Sequence, residues 1–192
     1  PVYLIKQRIA KRVIATDIRQ GPLCTARKNI AAFGESGSIE IRLSDGFCEI
    51  EKGEAQCAGI AGMGGETIAS ILQKKDIAAS RYVLQPQSSH KELREFLQLN
   101  GYKIVNEKVC SESRKMYVAM EVVRGKMPKL STVELEIGPA LIKNKGGEFS
   151  QYVKFRLFEI NSILEKLVGI TGAEQRKKEL EYLKSQYEDL IK

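Results

Sequence analysis

With 192 residues, 43% of them hydrophobic and 29% charged, the chain can bury a core in one domain and still carry an appendage. Lys and Arg number 31 against 24 Asp and Glu, giving a net charge of +7 and a pI near 9.2, which suits a polyanionic partner without requiring one. No apolar run is long enough to span a bilayer, and PVYLIKQRIAKR is too short and too charged for a signal peptide, so a cytoplasmic protein with no membrane partner is expected.

Val2, Leu4, Ile5 and Ile9 predict an amphipathic helix at the front, with Pro1 allowed in its first turn and Lys6, Arg8 and Lys11 on its polar face. A strand is expected over 12–17, ending in Asp17. Pro22 should then open a helix through Leu23, Ala26, Ile30 and Ala31 that stops at Gly34. The next strand, Ile39 to Leu43, ends in Ser44, Asp45 and Gly46.

Residues 57–72, CAGIAGMGGETIASIL, predict a strand, a tight turn on Gly62, Gly64 and Gly65, and a helix with Ile68, Ile71 and Leu72 inward. Glycine accepts positive φ and lets a ligand come close to the main chain. In open α/β sheets ligands lie just outside the carboxyl ends of the strands, where this turn falls. Alone, the glycines are explained equally well by a tight packing turn.

A fourth strand is expected from Tyr82 to Pro86, followed by a helix from His90 to Asn100 with Ser89 and Glu92 as a capping box. That makes His90, the only histidine, an exposed first-turn residue without a catalytic role. Tyr102–Val109 and Lys115–Val123 predict an antiparallel hairpin turning at 111–114. Repeated strand–helix units closed by such a pair indicate an α/β fold, a mostly parallel Rossmann-like sheet with one reversed edge strand.

From about residue 126 the pattern changes, dividing the chain into domains at 1–125 and 126–192. Pro128 opens a polar linker, and Gly138-Pro139 marks a further break. Phe149, Val153, Leu157, Ile160, Leu164 and Leu167 then recur at helical spacing. Thr171 and Glu174 predict a capping box for a last helix with Leu180, Leu183, Tyr187 and Leu190 on one face. Two amphipathic helices joined by a short turn form an α-helical hairpin. Cys24, Cys48, Cys57 and Cys110 lie far apart with no CxxC or Cys/His cluster, so they are expected as buried free thiols, with neither zinc nor any other metal.

Three expected strand ends fall on one edge of a parallel sheet: Asp17, Ser44-Asp45-Gly46, and Gly62 to Gly65. An acid at the second strand's end hydrogen-bonds ribose hydroxyls in nucleotide-binding sheets. Asp45 is placed to accept from an adenine amine, with Ser44 or a main-chain group beside it. Taken singly, Asp17 could be a helix cap and Asp45 a turn residue; together with the glycines they read as a nucleoside pocket.

ATDIRQGPLCTARKNI, RLSDGF, IAGMGGETIASIL, VLQPQSSHKELREFL and NGYKIVNEKV, in that order, resemble the bacterial tRNA (adenine-22-N1)-methyltransferase family, TrmK. The likeness covers the chain almost continuously to about Val123, and the terminal helices resemble that family's coiled-coil domain. It implies a class I methyltransferase fold, S-adenosyl-L-methionine as cofactor and tRNA as partner, with a monomer expected. Asp17, with Ile18 beside it, would hold the ribose, and Ser44, Asp45 and Gly46 the cofactor's adenine. Gly62, Met63, Gly64 and Gly65 would wall the methionine and sulfonium end. Gln85, Pro86 and Gln87 would be the catalytic strand end facing the target base; the family usually shows Q-P-N there, so Gln87 is a departure. Family members also carry a strand and loop of the type D-I-G-T-D-H-A-Y-L-P before the first helix. This chain begins at what resembles the last proline of that motif, so the strand and its cofactor loop are expected to be missing and cofactor binding to suffer.

N1 of adenine has a lone pair and needs no proton removed before attacking a methyl sulfonium, so the chemistry is in-line positioning and tolerance of moving positive charge. N1 is buried by pairing in a duplex, so the base must be flipped out or its stem opened. Lys6, Arg8, Lys11, Lys154, Arg156, Arg176, Lys177 and Lys178 are candidates to grip phosphates, although any one of them could be a solvated helix face. A nicotinamide oxidoreductase would want G-x-G-x-x-G, which is absent. An exocyclic-amine methyltransferase would want an N/D-P-P-Y/F tetrad where this chain has GMGG. A non-catalytic RNA-binding protein is the alternative from another class.

Overall fold

The computed structural model describes residues 1–113 and 115–192, and Arg114 lies outside the described residues. The chain clusters into two compact units, Pro1–Gln56 with Ser70–Ala79, and Cys57–Ala69 with Ser80–Lys192.

The first unit holds α1 (Val2–Lys6), β1 (Val13–Asp17), α2 (Gln20–Ala32), β2 (Ile39–Leu43) and the end of α3 (Gly65–Lys74). β1 and β2 pair in parallel, from Val13 opposite Ile39 to Asp17 opposite Leu43. Leu23, Ile30, Ile39, Phe47, Ile50, Ile71, Leu72 and Ile77 are buried. The front helix is shorter than its apolar spacing predicts. Arg8 adopts φ 56°, which a right-handed helix cannot continue through, and Ile9 is left exposed. α2 begins before Pro22, which sits in its first turn where no N–H is needed.

The second unit holds β3 (Cys57–Gly64), the start of α3, β4 (Arg81–Ser88), α4 (His90–Leu99), β5 (Tyr102–Glu112) and β6 (Lys115–Arg124). Their order in the sheet is β3-β4-β6-β5. β3 and β4 run parallel, and β6 runs antiparallel to both β4 and β5. The strands alternate as half-buried strands must, with Ala58 and Ile60, Tyr82 and Leu84, and Val118, Met120 and Val122 inward. Leu93 and Leu97 of α4 are fully buried.

Three expectations change here. The described strands form two ladders rather than one sheet, because strand–helix repetition fixes the elements and not their partners. The reversed strand is β6, inside the sheet, while β5 occupies the edge. The hairpin ladder also continues to Glu112 opposite Lys115, so Ser111 and Glu112 are paired strand residues and the turn is shorter than expected.

Where a polar linker was expected, the chain forms α5 (Thr132–Ile137) and α6 (Pro139–Asn144). α5 starts on a capping box: Ser131 Oγ accepts from the Glu134 N–H at 3.3 Å and Glu134 Oε2 accepts from the Ser131 N–H at 2.8 Å. The two boxes predicted from sequence are not made. Ser89 sits at φ 53°, which turns its side chain out of capping geometry, and α8 (Glu174–Leu190) is preceded by Ala173 rather than Thr171. α7 (Phe149–Lys166) packs on α8, with Tyr152, Val153 and Ile160 buried on the first helix and Leu180, Leu183 and Tyr187 on the second. No helix among the described residues is long and apolar enough to cross a membrane. All four cysteines are exposed, contrary to the buried thiols expected, because each lies on the outer side of its element or in a turn.

Candidate functional site

In the first unit, Asp17 closes β1 just before the N-cap of α2. Its Oδ1 accepts from the Arg19 N–H at 2.8 Å, an Asx turn ahead of α2 rather than a cap, since the helix has Arg19 as N-cap and no side-chain cap, while Oδ2 carries no hydrogen bond among the described residues. Ile18 beside it is exposed. The Asp17 carbonyl accepts from the Ser44 N–H at 3.0 Å, fixing the end of β1 to the end of β2.

Ser44 is buried, and its hydroxyl is used within the turn, donating to the Gly46 carbonyl at 3.0 Å and accepting from the Glu49 N–H at 3.1 Å. It shapes the turn, its one proton is spent there, and one lone pair of its oxygen remains as an acceptor. Asp45 Oδ2 pairs with Lys74 Nζ at 2.6 Å, a contact that holds the ammonium above its ordinary pKa. Both side chains are about half exposed (46% and 49%), so the pair is solvent-screened and exchangeable. Lys74 was not foreseen; its only sequence signal is a cation in the last turn of a helix.

In the second unit, the three glycines do not form a loop between strand and helix. β3 passes directly into α3 at Gly64 and Gly65, and the ladder with β4 slips on either side of Met63, leaving Gly62 unpaired with a left-handed φ of 77°. The Gly62 N–H donates instead to Gln85 Oε1 at 3.0 Å. Gln85 Nε2 donates to the Pro86 carbonyl at 3.0 Å, and Gln87 Nε2 donates to Gln85 Oε1 at 3.3 Å. Met63 is exposed, and Gly64 lies opposite Ser88. At Gly65 a Cβ would overlap the Ser89 carbonyl oxygen, so close approach of main chain to main chain dictates glycine there. The structure thus brings Gly62 to Gly65 and Gln85 to Gln87 together.

His90 is half-buried rather than exposed, because Ser89 turns the chain inward. Burial, with the Arg94 and Arg156 charges, pushes its pKa down to about 4.

The basic candidates separate by environment. Lys6 lies over the Phe33 ring at 4.5 Å, and Arg8 and Lys11 are exposed. Lys154 lines an open cleft of about 510 Å³ with Ser111, Met116 and Phe155. Lys177 lines another of about 600 Å³ with Glu181 and Lys184, and Lys178 is exposed. Arg176 is exposed and paired with Glu179 at 3.2 Å. Arg156 differs: it is held by Glu136 at 3.0 Å and Glu159 at 3.1 Å. Burial works against its charge, but Tyr152, Tyr187 and these carboxylates raise its pKa above the ordinary range. A guanidinium so engaged is an internal tie rather than a phosphate grip.

A family model described as tRNA (adenine(22)-N(1))-methyltransferase matches residues 1–192. The chain is 32% identical over 197 aligned residues to the tRNA (adenine(22)-N(1))-methyltransferase of Bacillus subtilis, covering 98% of this chain and 82% of that protein. Among solved structures it is similar to a Streptococcus pneumoniae protein in complex with S-adenosyl-L-methionine, with a TM-score of 0.86, 30% identity, and 100% and 86% of the two chains covered. It is also similar to M. capricolum TrmK in complex with S-adenosyl-homocysteine, with a TM-score of 0.82, 27% identity, and 100% and 87% covered.

Proposed function

The chain belongs to the tRNA (adenine(22)-N(1))-methyltransferase family, and from that membership we propose how its own residues serve the reaction. It is an α/β, Rossmann-like methyltransferase with C-terminal helices that methylates N1 of adenine 22 in tRNA. S-adenosyl-L-methionine supplies the electrophilic methyl group.

The residues present fit that cofactor by donor chemistry. Asp17 Oδ2 is an uncommitted acceptor at the carboxyl end of β1, suited to ribose hydroxyls, and this observation carries the assignment. Asp45 releases an oxygen to an adenine amine by exchanging its screened Lys74 contact. The Ser44 hydroxyl has spent its proton on the turn it braces, so it offers the cofactor one acceptor lone pair beside the main-chain groups of that turn. Gly62 to Gly65 flank the methionine end, and Gln85 to Gln87 orient the target base. N1 keeps its own lone pair, so these residues have no proton to remove and act by placement and by dipoles that tolerate charge moving onto the base.

The α7–α8 pair, within a C-terminal part at 126–192, is read as the family's coiled-coil hairpin. Lys154, Arg176, Lys177 and Lys178 contact tRNA phosphates there, and Lys6, Arg8 and Lys11 do so at the front.

Calorimetric titration of S-adenosyl-L-methionine into wild type and Asp17→Ala tests the cofactor assignment. Loss of hydrogen bonds to a charged acceptor should raise Kd by about tenfold or more. An unchanged Kd would overturn it.

A further inference from the structure

The amide network at the end of β4 separates two glutamines that sequence treats alike. A Gln side chain is ambiguous about which end is oxygen unless its partners decide it. Here they do. The Gly62 N–H can only donate, so the end of Gln85 facing it is Oε1; the Pro86 carbonyl can only accept, so the other end is Nε2. Gln87 also donates to Gln85 Oε1, so both lone pairs of that oxygen are taken.

The consequence for Gln87 is the reverse. Its Nε2 must face Gln85, which turns its own Oε1 away, and that oxygen has no partner among the described residues. Gln87 is exposed, whereas Gln85 is partly buried and tied on three sides.

An adenine about to be methylated at N1 presents one lone pair that must stay free and, beside it, the N6 amine, a donor. A group that recognises this edge without blocking the nucleophile must be an acceptor directed at N6. We infer that Gln87 reads the target adenine, its Oε1 accepting from N6–H, while Gln85 is a positioning residue that locks the Gly62 bulge to the strand end. This rests on the reading that the end of β4 faces the base. It also supplies selectivity, since guanine carries an acceptor, O6, where adenine carries N6, and two acceptors would oppose one another.

Wild type, Gln87→Ala and Gln85→Ala are compared on tRNA carrying either adenine or purine, which lacks the N6 amine, at position 22, by kcat/KM for N1 methylation. The same comparison is made in tRNA Kd with S-adenosyl-homocysteine bound, in case purine turns over slowly. Gln87→Ala should lower kcat/KM by about tenfold on adenine and leave purine unaffected. Gln85→Ala should weaken both substrates alike. If Gln87→Ala lowers both equally, or Gln85→Ala is the variant selective for adenine, the inference fails and the placement of the strand end survives. If neither variant affects either substrate, the placement fails with it.

Discussion

Arg94 Nη2 lies 2.9 Å from Glu107 Oε1 with both side chains wholly out of solvent. The same guanidinium donates to the carbonyls of Leu135 at 2.7 Å, Glu136 at 3.2 Å and Ile137 at 3.1 Å, and Glu107 Oε2 accepts from the Ala140 N–H at 2.9 Å. One ion pair therefore joins α4 and β5 to the end of α5 and the start of α6, capping orphan carbonyls at one helix end and an orphan N–H at the next. A buried pair is tolerable only when its remaining donors and acceptors are satisfied, and here they are.

Arg94→Ala should accordingly cost about 3–5 kcal/mol, since it strands a buried carboxylate and three carbonyls. Urea unfolding measures it. The double replacement Arg94→Met with Glu107→Leu should recover only part of the loss, because the carbonyls and the Ala140 N–H stay unpaired. A single-variant cost under about 1 kcal/mol would show that the pair is not desolvated as described.

His90 sets a pH dependence whose sign follows from its depressed pKa. Between about 4 and its ordinary 6.5 the unfolded chain takes up a proton that the folded protein refuses. Its contribution is thus complete above the unfolded value and is lost as pH falls toward 4. Thermal unfolding followed from neutral pH downward should show Tm falling across that window, and His90→Gln should flatten the fall. Parallel slopes in the two proteins would contradict the assignment.

Replacing Arg176, Lys177 and Lys178 together by Ala should weaken tRNA binding and reduce the slope of log K against log salt by up to about 2 to 3, roughly one per lost phosphate contact. Arg176 already spends charge on Glu179, so the smaller figure is the firmer expectation. Filter binding at several salt concentrations reads the slope. An unchanged slope would remove this surface from the tRNA interface.

How far the sequence spoke depended on whether a signal was local. The strands, α2, α4 and the last two helices announce themselves by periodicity, and Asp17, Asp45 and the glycines by falling at strand ends. Strand pairing is a long-range matter, so nothing local revealed that β6 would insert between β4 and β5. Ser89 and Thr171 carry the letters of a capping box, yet Ser89 adopts a left-handed backbone and α8 begins only after Ala173, while Ser131 makes the box inside a stretch that reads as linker. For Gly65 the sequence left a packing turn and a ligand-facing turn equally open, and the partner it packs against, the Ser89 carbonyl, is a long-range contact that no local signal reveals. The Gln85 network was invisible for the same reason, since it depends on Gly62 leaving the ladder 23 residues away.

The central claim is tested most directly by incubating the chain with methyl-labelled S-adenosyl-L-methionine and unmodified tRNA, then digesting the RNA to nucleosides. The account predicts label in N1-methyladenine, mapping to position 22 and abolished when that adenine is replaced by guanine. Label in N6-methyladenine, or undiminished N1 label in the guanine-substituted tRNA, would contradict it.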